Sequence, residues 1–69
     1  MKQLRERSGL RTVDVASYLG VGDSTIRNWE HGRSLPRFDL IEGLLRLYKC
    51  SFDELNQAMK ETIAQANKN

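Results

Sequence analysis

The chain has 69 residues, of which 39% are hydrophobic and 29% charged, a balance typical of a soluble globular protein that excludes a disordered segment. Its single cysteine excludes an internal disulfide and a cysteine-based zinc site, so stability must come from packing. The net charge of +2 says little alone, but residues 1–37 hold seven basic and four acidic residues, against four and five in the remainder.

The length predicts one small domain over residues 1–69, with a core at about 3–58 and a C-terminal helix extension at about 56–66. The sequence has no apolar run near the roughly 20 residues of a membrane span and no basic-then-apolar leader. We therefore expect a cytoplasmic protein.

Glycines divide the first part of the chain into helical lengths, and no alternating run of β-branched residues predicts a strand. The first predicted helix, at about 1–8, ends at Gly9. The second, at about 12–19, begins at Thr12, which can cap a helix, and ends at Gly20, where a tight turn requires a positive φ.

The third predicted helix, at about 23–31, buries Ile26 and Trp29 and ends at Gly32. The next residues, 33–37, form a predicted loop, because the proline within them removes a backbone donor and disfavours helix in the residue before it.

The fourth predicted helix, at about 39–48, has a broad apolar stripe that makes it the central core element. The stripe comprises Leu40, Ile41, Leu44, Leu45 and Leu47. The fifth begins at Ser51, where Glu54 three residues later completes a capping box. Residues 67–69 are expected to fray.

Only three residues, 20–22, join the second and third helices, and apolar residues on both sides predict one buried seam between them. The seam comprises Val15, Ala16, Val21, Ile26 and Trp29. Two short helices crossing at such a turn, with a polar face outward, indicate a helix-turn-helix, whose second helix enters the major groove of DNA.

Several separated motifs also match a known family in order and spacing. They are residues 4–10, VASYLGV at 15–21, STIRNWEHGR at 24–33, Pro36, the apolar run at 40–47 and SFDEL at 51–55. Over residues 3–58 the chain resembles the Cro and phage-repressor-type helix-turn-helix domain, also called the xenobiotic-response-element-like family.

The resemblance implies an all-α, compact five-helix lambda-repressor-like domain of prokaryotic or phage origin. Its third helix would read bases, while the start of the second helix and the loop after the third would hold phosphates. The resemblance also implies a structural ion pair between Arg5 and Glu30, and an acid at the negative end of a helix does need a partner.

The polar face of the third helix presents Ser24, Thr25, Arg27 and Asn28 as DNA-binding residues. An ordinary solvated face is the simpler alternative. Contact with DNA is favoured here because Arg pairs with guanine and Asn with adenine in a bidentate manner. Arg27 and Asn28 are the preferred base readers, and Ser24 suits a base or a phosphate.

Phosphate contacts are predicted for Arg11 and Thr12 at the start of the second helix, where free amides and the helix dipole favour an anion. Thr12 also has capping as its simpler role, and the two roles are compatible. Arg33 and Arg37 flank the loop after the third helix, and near DNA they would contact phosphates; otherwise they add solubility.

Asp23 stands where the family often has an amide side chain that contacts a base. An acid there is unfavourable near phosphates, but it can cap the third helix through the amides of Thr25 or Ile26, or accept from cytosine N4. Capping is the preferred interpretation. The family's base preferences are therefore not transferred to this chain.

Other chemistry receives little support. Trp29 is favoured as core rather than as a stacking platform, because stacking sites need several exposed aromatics. His31 is expected at the surface, and Cys50 is expected to pack rather than to sense redox state. No nucleophile, base and orienting group share a predicted pocket, so we expect no enzyme activity, cofactor, metal or small-molecule ligand.

The sequence thus predicts a regulator that binds duplex DNA, a repressor acting as a homodimer on a palindromic operator. Met59 and Ile63 of the extension are the candidate dimer contact, with packing on the first helix as the alternative. A different class remains open: an antitoxin-like or co-activator-like module that binds protein.

Overall fold

The computed structural model describes residues 1–67, and in that range it contains five α-helices and no strand. The helices are α1 (Lys2–Arg7), α2 (Thr12–Leu19), α3 (Asp23–Glu30), α4 (Phe38–Tyr48) and α5 (Phe52–Ala66). The predicted all-α class and helix order are confirmed. The expected fraying falls mainly on residues 68 and 69, outside the described residues, and Asn67 is the residue that ends α5.

Four helix boundaries each differ by one residue from the prediction. α1 is limited to Lys2–Arg7, α3 ends at Glu30 instead of His31, and α4 begins at Phe38 instead of the following residue. At α4, Arg37 keeps an extended backbone and becomes the N-cap, so the helix starts directly after it.

The predicted cap of α2 is wrong. Thr12 is the first helical residue, and the N-cap is Arg11, whose backbone N–H donates to Oδ2 of Asp14 at 2.8 Å. A carboxylate three residues into a helix reaches the cap amide, which leaves Thr12 no capping role.

At α5, the predicted capping box is half present. The hydroxyl of Ser51 accepts from the backbone N–H of Glu54 at 3.1 Å, as predicted. The Glu54 carboxylate does not return to the cap but accepts from Arg7 of α1 at 2.8 Å. The competing guanidinium explains the difference, because a charged donor forms the stronger hydrogen bond.

The core lies where all five helices meet. Its ten buried residues are Met1, Leu4, Val15, Ala16, Ile26, Trp29, Leu44, Tyr48, Leu55 and Met59. The side chain of Trp29 is only 3% exposed, which confirms its predicted core role. Gly20 closes the turn between α2 and α3 with φ of +72°, and the amide of Val21 donates to the carbonyl of Ala16 at 3.0 Å.

The second half of α5 folds back on its own chain. Met59 belongs to the core, and the hydroxyl of Thr62 accepts from the amino group of Met1 at 3.2 Å. At Gly32, after α3, a Cβ would lie 2.8 Å from Cβ of Ala66 and 3.4 Å from Cα of Ile63. The predicted dimer contact is therefore wrong for Met59, which is buried in the core at 9% exposure, whereas Ile63 is half-buried and its part in a dimer contact stays a prediction.

Within residues 1–67, none of the helices combines the length and the apolar character needed to cross a membrane.

Candidate nucleic-acid interface

α3 separates an apolar face from a polar one. Ile26 and Trp29 point inward and are 1% and 3% exposed, which fixes the helix against α2 and the core. Ser24 and Arg27 are exposed and Asn28 is half-buried. Because these three positions are spaced by three and four residues, they share one face of the helix.

The fourth predicted reader, Thr25, lies to one side of that face. It lines a shallow depression of about 500 Å³ together with the loop after α3 and the first turn of α4. Arg37 lines the same depression, which therefore joins Thr25 of α3 to the loop after it.

Asp23 does not cap α3, and the predicted cap is wrong. The N-cap is Gly22, and Oδ2 of Asp23 forms an ion pair with Nη2 of Arg27 at 2.9 Å. Side chains on a helix lean towards its N-terminus, so Arg27 reaches back over the turn that carries Asp23. The other oxygen, Oδ1, is buried and has no hydrogen-bond partner among the described residues.

The Asp23–Arg27 pair joins an acid to the preferred base reader. The two side chains are 32% and 64% exposed, so the pair remains open to a ligand. A guanidinium has five N–H donors, and one contact with a carboxylate leaves donors for O6 and N7 of guanine. The acid restricts where the guanidinium points and contacts only one of its nitrogens, Nη2.

Two further predicted DNA-binding arginines also lie beside acids. Arg11 donates to Asp14 at 3.1 and 3.0 Å, and these hydrogen bonds together with the cap amide lower the pKa of the Asp14 carboxyl. Arg37 lies 3.4 Å from Asp39. Arg33 is exposed and forms no ion pair with any residue in the described part of the chain.

The sequence reasoning missed these acid partners of predicted DNA-binding arginines. The signal was present for two of them, because Arg11 and Asp14 are three residues apart and Asp23 and Arg27 four residues apart, the spacings that meet on a helix.

The predicted partners Arg5 and Glu30 form a bidentate ion pair. Nε and Nη2 of Arg5 donate to the Glu30 carboxylate at 2.7 and 3.1 Å, and Nη1 donates to the carbonyl of Leu10 at 3.0 Å. The side chains are 11% and 7% exposed. The hydrogen bond to Glu30 raises the pKa of Arg5 further. Glu30 is thus held by α1 and is not presented to a ligand.

The remaining candidates lie apart from this face. His31 is exposed at the end of α3, with Nδ1 2.7 Å from the carbonyl oxygen of Arg27. Cys50 is half-buried against the core, and burial raises the pKa of its thiol. Residues 1–67 contain no group of three His, Cys, Asp or Glu side chains that could hold a metal ion.

Comparison with known families gives one match. The model of a family described as a helix-turn-helix domain matches residues 1–58, which include all of α1–α4 and the first half of α5. Comparisons with curated proteins and with solved structures found no match.

Proposed function

The chain belongs to the helix-turn-helix domain family, and from that premise we propose that it is a sequence-specific regulator of transcription. It binds duplex DNA with α3 in the major groove. The observation that carries this proposal is the position of Arg27, 64% exposed on the polar face of a helix whose other face is locked into the core.

Base readout rests on two side chains of α3. Arg27 presents donors for guanine, and Asn28 has the donor and acceptor that match adenine. Ser24, on the same face, contacts a base or a phosphate. Asp23 orients Arg27 and places a negative charge beside the groove, which disfavours binding wherever Arg27 has no guanine to meet.

Backbone contacts flank this face. Arg11 and Thr12 stand at the start of the eight-residue α2, where the positive end of the helix dipole favours a phosphate, although Asp14 already accepts from the Arg11 amide. Arg33 and Arg37 come from the loop after α3, and Thr25 faces the same depression as Arg37. These side chains fix the register of α3 on the duplex and carry no sequence information themselves.

A homodimer on a palindromic operator is expected because one copy contacts too few base pairs to select a site. The eight residues of α3 span roughly 12 Å, so a single helix reads only a few base pairs. Two half-sites about 34 Å apart double the recognised sequence. We propose that the dimer acts in the cytoplasm of a prokaryotic or phage-infected cell and represses by occupying its operator.

Selection of bound duplexes from a random pool tests the proposal. The expected result is an enriched sequence with two-fold symmetry and half-sites separated by about one helical turn. Failure to enrich any sequence, with a folded protein confirmed by circular dichroism, contradicts the proposal.

A further inference from the structure

Three of the four arginines proposed to contact DNA form an ion pair with an acid of their own segment. The distances are 3.0, 2.9 and 3.4 Å for the pairs Arg11–Asp14, Arg27–Asp23 and Arg37–Asp39. Arg33 is the exception, with no ion pair among residues 1–67. Four arginines and three acids leave these positions a net charge of only +1. Their attraction for a polyanion is therefore weaker than the four arginines alone would give.

The Asp14 carboxylate occupies the donors that a phosphate would use at the start of α2. Its Oδ2 accepts from the backbone N–H of Arg11 at 2.8 Å and from Nε of Arg11 at 3.1 Å, and its Oδ1 accepts from Nη2 at 3.0 Å. A phosphate held by an arginine and a helix amide would bond the same groups. These hydrogen bonds also lower the pKa of the Asp14 carboxyl, so it stays ionised at neutral pH. Arg11 thus has an anionic partner before DNA arrives.

Arg37 has the same arrangement at the start of α4. It is the N-cap of that helix, and its Nη2 donates to Oδ2 of Asp39, the second helical residue, at 3.4 Å. The two side chains are exposed. Because Asp39 is two residues from its arginine and Asp14 is three residues from Arg11, local chain geometry alone keeps each acid beside its base.

We propose that Asp14 and Asp39 are selectivity residues. Each competes with DNA phosphates for its arginine and so weakens binding to duplexes that lack the operator sequence. The inference rests on the proposed function, since it concerns two of the arginines assigned to phosphates. It differs from the role of Asp23, which acts on a base reader, because here the acids act on contacts that carry no sequence information.

The competition affects a loose complex more than a specific one. Nonspecific binding depends on the charge of the face and on counterion release, and each paired acid cancels one of those charges. In a specific complex, α3 in the major groove fixes the register, so a phosphate can lie at the donors that the acid leaves open. Arg11 uses Nε and Nη2 for Asp14, which leaves Nη1 for that phosphate. A guanidinium held in one direction serves a phosphate in one register and few others.

Salt titrations of the full chain on random duplex DNA, for wild type, Asp14→Asn and Asp39→Asn, test the inference. Asparagine keeps a side-chain oxygen that can accept from the Arg11 amide, so the main change at Asp14 is the loss of charge. Each variant should show a log–log slope steeper by about 0.9, so its affinity relative to wild type grows by about 3.5-fold as salt falls from about 200 to about 50 mM. Affinity for the selected operator should rise less, so the ratio of operator to random affinity should fall.

Glu42→Gln is the matched control. Glu42 forms an exposed ion pair with Arg46 at 2.6 Å, and both residues lie on α4 and are not among the proposed DNA contacts. The substitution adds the same single charge to the chain as Asp14→Asn or Asp39→Asn does. Its slope on random duplex should equal that of wild type.

Three results overturn the inference and leave the proposed function standing. The first is a wild-type slope in both aspartate variants while circular dichroism shows them folded. The second is a ratio of operator to random affinity that does not fall in them. The third is a Glu42→Gln slope as steep as theirs, because net charge alone then accounts for the effect. If wild type and both variants fail to bind any duplex at low salt, the proposed function falls and the inference falls with it.

Discussion

Two ion pairs of α3 each join an arginine to a carboxylate, but one pair is nearly buried and the other is exposed. Glu30, at the end of the helix, accepts two hydrogen bonds from Arg5 of α1, and both side chains are nearly buried. Asp23, at the start, forms an ion pair with Arg27 of its own helix, and both side chains reach solvent. The buried pair joins two helices, and the exposed pair orients a side chain that remains free to bind. Burial and connectivity therefore distinguish the structural pair from the pair that contains the proposed base reader on one short helix.

The largest expected effect comes from breaking the buried pair. Glu30→Ala should lower the free energy of unfolding by about 3 kcal/mol, because it leaves the Arg5 guanidinium partly buried without its carboxylate. Urea denaturation followed by circular dichroism measures the loss. The double variant Arg5→Met with Glu30→Leu should recover most of it, since apolar replacements remove the unpaired charge. If Asp23→Ala lowered the free energy of unfolding by the same amount, the two ion pairs would not differ in their contribution to stability.

The next effect is on DNA recognition. Arg27→Ala should reduce discrimination at one base pair of the selected operator by about 1–3 kcal/mol, and Asn28→Ala should do so at a different pair. In Arg27→Ala the free energy of unfolding should change by no more than about 0.5 kcal/mol, as for other exposed side chains. Binding to the operator and its single-base variants measures this, with Ser17→Ala, exposed on α2, as control. Unchanged discrimination in both variants would remove the reading role from α3.

Tyr48, a core residue whose pKa is influenced by the charges of the buried Arg5–Glu30 pair, should make the folded protein less stable at alkaline pH. Burial raises the pKa of Tyr48 to about 12, the charge of Glu30 adds to the shift, and Arg5 opposes it. The folded phenol thus keeps its proton where an unfolded tyrosine, with a pKa of about 10, loses it. The stability contribution is present below about pH 10 and is lost as the pH rises towards about 12.

Tyr48→Phe should therefore unfold with a flatter dependence on pH, measured as the urea midpoint from about pH 9 to about pH 11. At neutral pH it should be close to wild type, because the Tyr48 hydroxyl is buried and has no hydrogen-bond partner within residues 1–67. Tyr18→Phe, at an exposed site, is the control. If the two variants show the same pH dependence, the phenol of Tyr48 does not have the raised pKa.

The smallest effect on folding is expected from the exposed pair. Asp23→Ala should change the free energy of unfolding by only about 0.3–0.5 kcal/mol. It should nevertheless strengthen binding to random duplex DNA, because it removes a negative charge beside the phosphates. Its effect on base preference should vanish in an Arg27→Ala background if Asp23 acts through Arg27. A preference change that persists in that background would instead indicate a direct contact of Asp23 with a base.

The helices were predictable because their signals are local. Gly20 and Gly32 mark turns that need positive φ. The apolar residues of α4 recur every three to four positions, a periodicity typical of a helix and not of a loop. The seam of the helix-turn-helix was predictable for the same reason, since Ile26 and Trp29 stand on one side of a short helix. The family match over residues 1–58 agrees with that interpretation.

The helix caps and the exposed faces were harder to predict, because a carboxylate can pair with an arginine that the fold brings close instead of capping its own helix. Asp23 has the residue type of a helix cap, but its carboxylate forms an ion pair with Arg27 of the same helix and no cap hydrogen bond. Glu54 likewise bonds Arg7, 47 residues away, rather than its own cap. Met59 became core because α5 folds back on Met1 and Gly32, a packing that a periodic sequence pattern does not distinguish from an outward face.

The central claim is that the α3 face binds the DNA backbone and bases, and the salt dependence of binding to duplex DNA tests it most directly. If the proposed interface contacts phosphates, the logarithm of the association constant should fall linearly with the logarithm of salt concentration, with a slope of about −0.9 for each phosphate contacted. Arg33→Ala should make that slope shallower by about one. Binding that is absent at low salt, or a slope near zero, would contradict the account.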